Sequence, residues 1–396
     1  MAAPELDDPV SELKRRLEPF SGKIKPGQKV AIAVGSRGIH RIGELVKTMV
    51  DWVKAQGGKP QIVPAMGSHG ASTSAGQKQV LAELGIREKK IGCPIFSEIA
   101  GIKIGELQGL KIYTDQFALR ADHLILLNRI KPHTSFHGRF ESGLCKMLAI
   151  GLGKQKGAKE MHQFGPGRIG ELVPQVARYL LRKLPVLIGV GILENYRDRI
   201  ASLEVLAGRE FLSREPKLMH RAGKLLPGLP FPALEVLIVD EMGKDKSGTG
   251  MDTNVIGRLD LRGEPELKEP RIRRIVVLGL SGRTAGSAYG IGLADITTRR
   301  VIDKLDLNAM RENALASTFV ERVRIPVWFN SDREAIIAAI KTCWCPDPGA
   351  LRLCRIKSTL ELDEFWITEN LLKPSRIKLQ VLSRPKKFKF DARGNL

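Results

Sequence analysis

The sequence lacks the long hydrophobic run that a membrane-spanning helix requires. Such a helix needs roughly 18 consecutive apolar residues, and the nearest approach is the eight-residue segment VLIGVGIL at 186–193. The first residues, MAAPELDDPVSELKRR, are acidic and polar rather than basic and then apolar, which predicts no export signal. We therefore expect a soluble protein with no membrane partner.

Cysteine, aromatic and acidic residues are also scarce. The five cysteines are odd in number and irregularly spaced, which argues against a disulfide framework and favours a cytoplasmic location. Aromatic residues make up 5% of the chain and no nucleic-acid-reading signature is visible, so nucleic acid is a weak hypothesis. Acidic residues number 43 against 64 lysines and arginines, and the resulting net charge of +21 should attract anionic ligands.

Apolar runs alternate with amphipathic helical patterns along the first half of the chain. This alternation predicts a mainly parallel sheet covered by helices. Strands are expected at 29–36, 61–66, 123–128 and 185–193, and helices over 42–53, from Ser74 with a capping box to Gln77, and over 169–181.

A change in composition around 209–231 marks a domain boundary. We expect an α/β fold of two domains, residues 1–231 and 232–396, with an active-site cleft between them and a basic tail that belongs to the second domain or returns to the first. In the second domain, strands are predicted at 234–240, 274–280, 325–330 and within 351–367, and helices near 310–323 and 332–343, the last capped by Ser331 and Glu334.

Polar clusters follow three strands of the first domain, where ligands of parallel sheets bind. They are GSRGIH at 35–40, MGSHGAST at 66–73 and NRIKPHTSFHGRFESGLCKM at 128–147. Pro132 favours an extended approach that presents His133 from a loop, although any one of these histidines could be a surface turn residue. Lys146 lies in an apolar segment, where its ammonium is either used chemically or extends to solvent from a helix end. Gly151 and Gly153 could offer backbone N–H groups to a phosphate.

The order of His69, the Pro-His pair at 132–133, Lys146 and His162 sixteen residues later resembles the nickel-pincer lactate racemase family. The resemblance covers roughly residues 28–165. It implies a pyridinium-3-thioamide-5-thiocarboxylic acid mononucleotide that holds nickel and is attached covalently to Lys146, with cofactor-biosynthesis proteins as partners.

The resemblance also implies a role for each matching residue. His162 would bind nickel, while His69 and His133 would exchange protons with a 2-hydroxy acid as hydride leaves and returns to C2. Racemisation through a 2-keto acid would follow. Unperturbed histidines titrate near neutral pH, which suits two opposed acid/base groups.

The sequence departs from the family pattern in two places. The spacing from His133 to Lys146 is longer, and His137 lies inside the extension as an alternative base. After the first strand, Arg37 is the main candidate for binding a substrate carboxylate. In the second domain, the turns within 240–258 and 281–295 supply Asn254 and Arg258 as further candidate contacts, although glycine-rich turns with solvated charges would look similar.

Two other functions stay open. A zinc-dependent hydrolase could use His133, His137 and His162 as ligands. A basic module that binds anions or nucleic acid would need none of the histidines.

Overall fold

The chain folds into two compact α/β units, one ending at Leu226 and the other beginning at Pro227. A computed structural model describes residues 3–67, 69–70, 72–284, 286–373 and 375–396. No helix in these ranges is long and apolar enough to cross a bilayer. The α/β fold with mainly parallel sheets is confirmed in both units.

The N-terminal unit contains a five-stranded sheet in the order β2-β1-β5-β6-β7, and β3 and β4 form a separate hairpin. All neighbours in the larger sheet are parallel except the pair β6–β7. Its strands are β1 (Lys29–Val34), β2 (Lys59–Pro64), β3 (Ile102–Leu107), β4 (Leu110–Thr114), β5 (His123–Arg129), β6 (Val186–Glu194) and β7 (Ile200–Ala207). Its helices are α1 (Pro9–Leu17), α2 (Ile42–Ala55), α3 (Ser74–Glu83), α4 (Glu88–Ile91), α5 (Gln116–Leu119), α6 (Leu144–Lys146), α7 (Lys154–His162), α8 (Gly165–Lys183) and α9 (Phe211–Leu225), with a π-helix at Met147–Gly151 between α6 and α7.

Both faces of this sheet are buried. Alternate residues of β1 point to opposite sides: Val30 and Ile32 join the core that includes α1 and α2, while Ala31 and Ala33 join the core that includes α8. This double burial explains why β1 reads as a continuous apolar run rather than as an alternating one.

The C-terminal unit has a six-stranded sheet in the order β11-β10-β9-β8-β12-β13, parallel except for β12–β13. Its strands are β8 (Ala233–Val239), β9 (Arg271–Val277), β10 (Ile296–Thr298), β11 (Val327–Phe329), β12 (Leu353–Ile356) and β13 (Phe365–Ile367). Its helices are α10 (Thr253–Ile256), α11 (Arg299–Ile302), α12 (Leu307–Ser317) and α13 (Asp332–Thr342).

The two predicted helix caps have different outcomes. Ser331 caps α13 by accepting the backbone N–H of Glu334 at 3.2 Å, which confirms that cap. The capping box from Ser74 to Gln77 is wrong by one residue, because the Thr73 hydroxyl accepts the N–H of Gly76 and Thr73 is the capping residue of α3.

Candidate active site

The sheet brings three polar loops to one edge. Strands β1, β2 and β5 are adjacent and parallel, and their last paired residues are aligned: Val34 with Pro64, and Val34 with Leu127. The loops that follow these strands therefore start side by side. This is the arrangement predicted from the polar clusters that follow the apolar runs.

His69 lies in the loop after β2 and is exposed. Its Nδ1 shares a hydrogen bond with the hydroxyl of Ser36, which belongs to the loop after β1. The loop is held by Gln77, whose side-chain amide donates to the carbonyl of Gly67 at 3.1 Å. Gly70 has φ of +67°, and a Cβ there would lie 2.6 Å from the Gln77 nitrogen, so only glycine fits.

His133 lies in the loop after β5, which Glu141 organises. The buried Glu141 carboxylate accepts the N–H of His133 at 2.5 Å and that of Gly138 at 3.0 Å. The other predicted base, His137, places its Nδ1 3.4 Å from the same carboxylate. A side chain that the sequence did not single out therefore fixes the backbone of the predicted catalytic loop.

The imidazole of His133 has a defined orientation. Its ring stacks on the buried Phe136 with centroids 4.2 Å apart, and its Nδ1 accepts the N–H of Ser135 at 3.1 Å. Because Nδ1 is an acceptor, the neutral ring carries its proton on Nε2. Burial and the nearby Lys146 hold the pKa of His133 well below its usual value, so the ring is neutral at physiological pH.

Lys146 ends the short helix α6 and is half-buried. Its Nζ lies 5.0 Å from the centroid of the Phe136 ring, on which His133 also packs. Burial, reinforced by the charge of Arg37, lowers the pKa of Lys146 to about 7, while Glu141 acts in the opposite direction. Within the described residues no carboxylate forms an ion pair with this amine, so no contact opposes the loss of its proton near neutral pH.

Arg37 is the cation that follows β1, and its charge acts on both Lys146 and His133. The pKa of Arg37 is itself lowered, first by burial of the guanidinium and then by the positive charge of Arg129. Arg129 is paired with Glu194 at 2.5 Å, whereas Arg37 has no ion-pair partner in the described part of the chain. This guanidinium, near an amine of lowered pKa and a neutral imidazole, is suited to binding an anionic group.

His162 is the last residue of α7. Burial, followed by the charge of Lys146, lowers the pKa of His162 to about 4, so its imidazole is neutral. Its Nδ1 is buried and has no hydrogen-bond partner among the described residues. A neutral imidazole with an unsatisfied buried nitrogen fits the requirements of a metal ligand.

Gly151 and Gly153 are buried where the chain passes from the π-helix to α7. A Cβ on Gly151 would lie 2.6 Å from the carbonyl of Ala65, and one on Gly153 would lie 3.0 Å from Gly157. Gly151 also accepts the N–H of Gly67 at 3.0 Å. Close packing thus explains both glycines, and a contact with phosphate stays a prediction.

In the C-terminal unit, Asn254 and Arg258 have local partners. Asn254 donates its side-chain amide to Asp252 at 3.0 Å. Arg258 pairs with Asp295 at 2.8 Å and donates to the carbonyl of Leu293 at 2.9 Å. These contacts give Arg258 a structural role within its own unit, and its contact with substrate stays a prediction.

Two buried ionisable side chains, Lys154 and Glu215, were not identified from the sequence. Lys154, at the start of α7, is fully buried and pairs with Asp115 at 2.8 Å. Glu215, on α9, is also fully buried and accepts the N–H of Cys145 at 3.0 Å, immediately before Lys146. An isolated lysine or glutamate in an amphipathic pattern resembles a solvated residue, so no local signal identified either one.

Glu215 should make stability depend on pH. Burial raises its pKa to about 7 from the ordinary 4.5, so the folded state holds its proton more tightly than the unfolded state does. The stability that this proton contributes is complete below pH 4.5 and is lost as pH rises through 7. Between pH 4.5 and pH 7 the free energy of unfolding of the wild type should fall by about 3 kcal/mol relative to that of the Glu215→Gln variant. Urea unfolding at a series of pH values measures this difference.

The exposed Glu171 on α8 provides the control for that experiment. Glu171→Gln should follow the wild-type curve at every pH. If Glu215→Gln also runs parallel to the wild type, the buried carboxyl does not titrate in this range and the assignment is wrong.

Comparison with known proteins adds a fold but no family. No protein-family model matches the sequence, and no curated protein is significantly similar to it. A crystal structure of a structural-genomics target from Thermotoga maritima is similar over 69% of this chain and 71% of that one, with 14% identity and a TM-score of 0.52. The structure of the lactate racemase apoprotein from Thermoanaerobacterium thermosaccharolyticum aligns over 82% of this chain and 91% of that one, with 11% identity and a TM-score of 0.47. The first of these likenesses supports the same overall fold.

Proposed function

We propose that the protein is a racemase or epimerase of a 2-hydroxy acid that carries a nickel-pincer nucleotide on Lys146. One observation carries the proposal: the half-buried amine of Lys146 lies 5.0 Å from the centroid of the Phe136 ring, on which His133 stacks, and burial lowers the pKa of Lys146 to about 7. Acylation of a lysine requires the uncharged amine. Lys146 satisfies this condition near neutral pH, and His162 presents a neutral nitrogen suited to a metal.

The residues of this chain would have distinct roles around that cofactor. When bound, the pyridinium ring would supply the acceptor for hydride and the nickel would be held in part by His162. Arg37 would bind the substrate carboxylate, because its guanidinium has no ion-pair partner among the described residues and offers forked N–H donors. His69 and His133 would remove the hydroxyl proton and return it, each from its own loop.

Attachment at Lys146 would also adjust the base. The charge of Lys146 is the largest cause, after burial, of the lowered pKa of His133. A thioamide at Lys146 carries no charge, so cofactor attachment should raise the pKa of His133 toward the neutral range. The histidine would then become a better proton acceptor only when the cofactor is present.

The zinc hydrolase has less support. Among the described residues no group of three His, Cys, Asp or Glu side chains is arranged to hold a metal ion. His137 faces Glu141 instead. The nickel hypothesis needs only His162 from this part of the protein, because the cofactor supplies the other donors.

The mass of the intact protein tests the proposal directly. The chain is expressed with and without the cofactor-biosynthesis proteins, and a known racemase produced alongside verifies cofactor supply. We expect a covalent adduct that maps to the peptide containing Lys146, about one equivalent of nickel, and interconversion of the enantiomers of a 2-hydroxy acid on a chiral column. An unmodified chain beside a loaded control would refute the assignment.

A further inference from the structure

Arg322, in the C-terminal unit, is a buried cation for which the described residues supply no hydrogen-bond or ion-pair partner. Its side chain has no exposed surface. Its Nε, Nη1 and Nη2 atoms all lack hydrogen-bond partners in the part of the chain that the structure describes. A guanidinium has five N–H donors and stays charged in proteins, so leaving all of them unsatisfied is strongly unfavourable.

Asp260 and Glu266 are the carboxylates whose charge acts most on Arg322, but both form their contacts with other groups. Asp260 pairs with the exposed Arg324 at 3.4 Å. Glu266 accepts the backbone N–H groups of Leu259 and Asp260, both at 2.7 Å. The negative charges that reach Arg322 therefore do not neutralise it by direct contact.

Arg258 shows that this unit can satisfy an enclosed arginine. Its guanidinium donates to the carboxylate of Asp295 at 2.8 Å. It also donates to the backbone carbonyls of Leu293 and Ile272, at 2.9 and 3.1 Å. Arg322 has none of these. The contrast indicates that the acceptor for Arg322 is a group from outside the chain.

The surroundings of Arg322 are polar. Tyr289, whose electrostatic effect reaches Arg322, donates its hydroxyl proton to Ser317 at 2.8 Å. The carboxylates of Asp260, Glu266 and Glu321 also act on the guanidinium through their charge, without a hydrogen bond to it. An anion bound here would therefore be held by the guanidinium N–H donors themselves.

Glycines let the backbone close around this arginine. The N–H of Gly290 donates to the carbonyl of Arg322 at 2.9 Å, and Gly290 has φ of +103°. A Cβ on Gly290 would lie 1.8 Å from the carbonyl of Thr249, and one on Gly292 would lie 2.1 Å from that of Glu321. Three segments of chain are thus in backbone contact here.

We infer that Arg322 binds an oxyanion, the phosphate or carboxylate group of a small ligand, inside the C-terminal unit. The guanidinium offers parallel N–H donors that match two oxygens of either group. The inference does not depend on the cofactor at Lys146. A failure of the adduct experiment would leave it intact.

The test uses the full-length protein freed of multivalent anions, with inorganic phosphate and acetate as probes at constant ionic strength. Binding is measured by calorimetry and by the shift of the melting temperature. We expect at least one probe to bind saturably and to raise the melting temperature of the wild type. Tighter phosphate binding would indicate a phosphorylated ligand, and tighter acetate binding a carboxylate.

Variants then locate the binding. Arg322→Met should abolish the anion-dependent shift and, without anion, should melt no lower than the wild type, because an uncompensated charge has been removed. Arg322→Lys should weaken binding by about 10- to 100-fold, since one point charge replaces the forked donors. Arg324→Met, next to the site but exposed, should bind as the wild type does.

Three results would overturn the inference: no saturable binding of either probe to the wild type, undiminished binding to Arg322→Lys, or equal loss in Arg324→Met. If Arg322→Met does not fold, the wild type and the lysine variant still decide between the outcomes.

Discussion

Replacing Lys146 with arginine is expected to abolish cofactor attachment and to lower racemisation by at least about three orders of magnitude, since the cofactor supplies the difficult chemistry. Arginine retains the positive charge and most of the length of lysine. It stays protonated at any physiological pH, however, and cannot be acylated in the same way. The substitution therefore separates the charge of Lys146 from its nucleophilicity, which Lys146→Ala would not do.

The matched control for this change is Lys156→Arg, on the exposed face of α7 between Lys146 and His162. It should load cofactor as the wild type does. In the wild type the rate of attachment should rise with pH around a midpoint near 7, because the uncharged amine is the reactive form. Loading of Lys146→Arg, or a wild-type rate that is flat from pH 6 to 8, would contradict the role given to this amine.

Replacing Lys154 with methionine should destabilise the N-terminal unit by about 3 to 5 kcal/mol, because it leaves a buried carboxylate without its counterion. Lys154 and Asp115 are no more than 1% exposed and lie 2.8 Å apart, and the Lys154 ammonium also donates to the carbonyl of Pro64 at 2.6 Å. That carbonyl ends β2, directly before the loop that carries His69. The free energy of unfolding, measured with urea, checks the magnitude.

Two comparisons identify the cause of that loss. Adding Asp115→Leu to Lys154→Met should recover most of the loss, because no charge is then left buried. Lys47→Met, which breaks an exposed pair with Asp51, should change stability by less than about 1 kcal/mol. If Lys154→Met and Lys47→Met lower the free energy of unfolding equally, burial of the Lys154–Asp115 pair is not the cause of the loss.

The strands could be predicted from sequence wherever burial decides the residue types. β1, β2, β5 and β6 are apolar runs because helices cover both faces of their sheet. Their order in the sheet could not be predicted, because the residues of a strand buried on both faces do not indicate which strands pair with it. The hairpin β3–β4 was missed, although the positive φ angles of Gln108 and Gly109 identify a two-residue turn that the Gln-Gly pair could have suggested.

The site could be predicted only in part, because the sequence shows its local residues but not their tertiary contacts. The sequence singled out His133, Lys146 and His162, and in the structure the charge of Lys146 acts on both histidines. Their roles stay a prediction. Residues distant in sequence complete the site: the charge of Arg37 lowers the pKa of Lys146, and Glu215, 70 residues away from Cys145, accepts that residue's N–H in the helix of Lys146. Such contacts depend on tertiary packing, which the local pattern does not encode.

The order of the strands has a consequence for synthesis on the ribosome. β1 can pair with β2 as soon as both have emerged, but its other edge waits for β5, and β5 in turn waits for β6. About 130 residues separate the ends of β2 and β6, so translation at 5 to 20 residues per second leaves an unpaired apolar edge for roughly 6 to 26 s. Such an edge pairs readily with other chains. The yield of folded protein should therefore depend on chaperones that bind nascent chains.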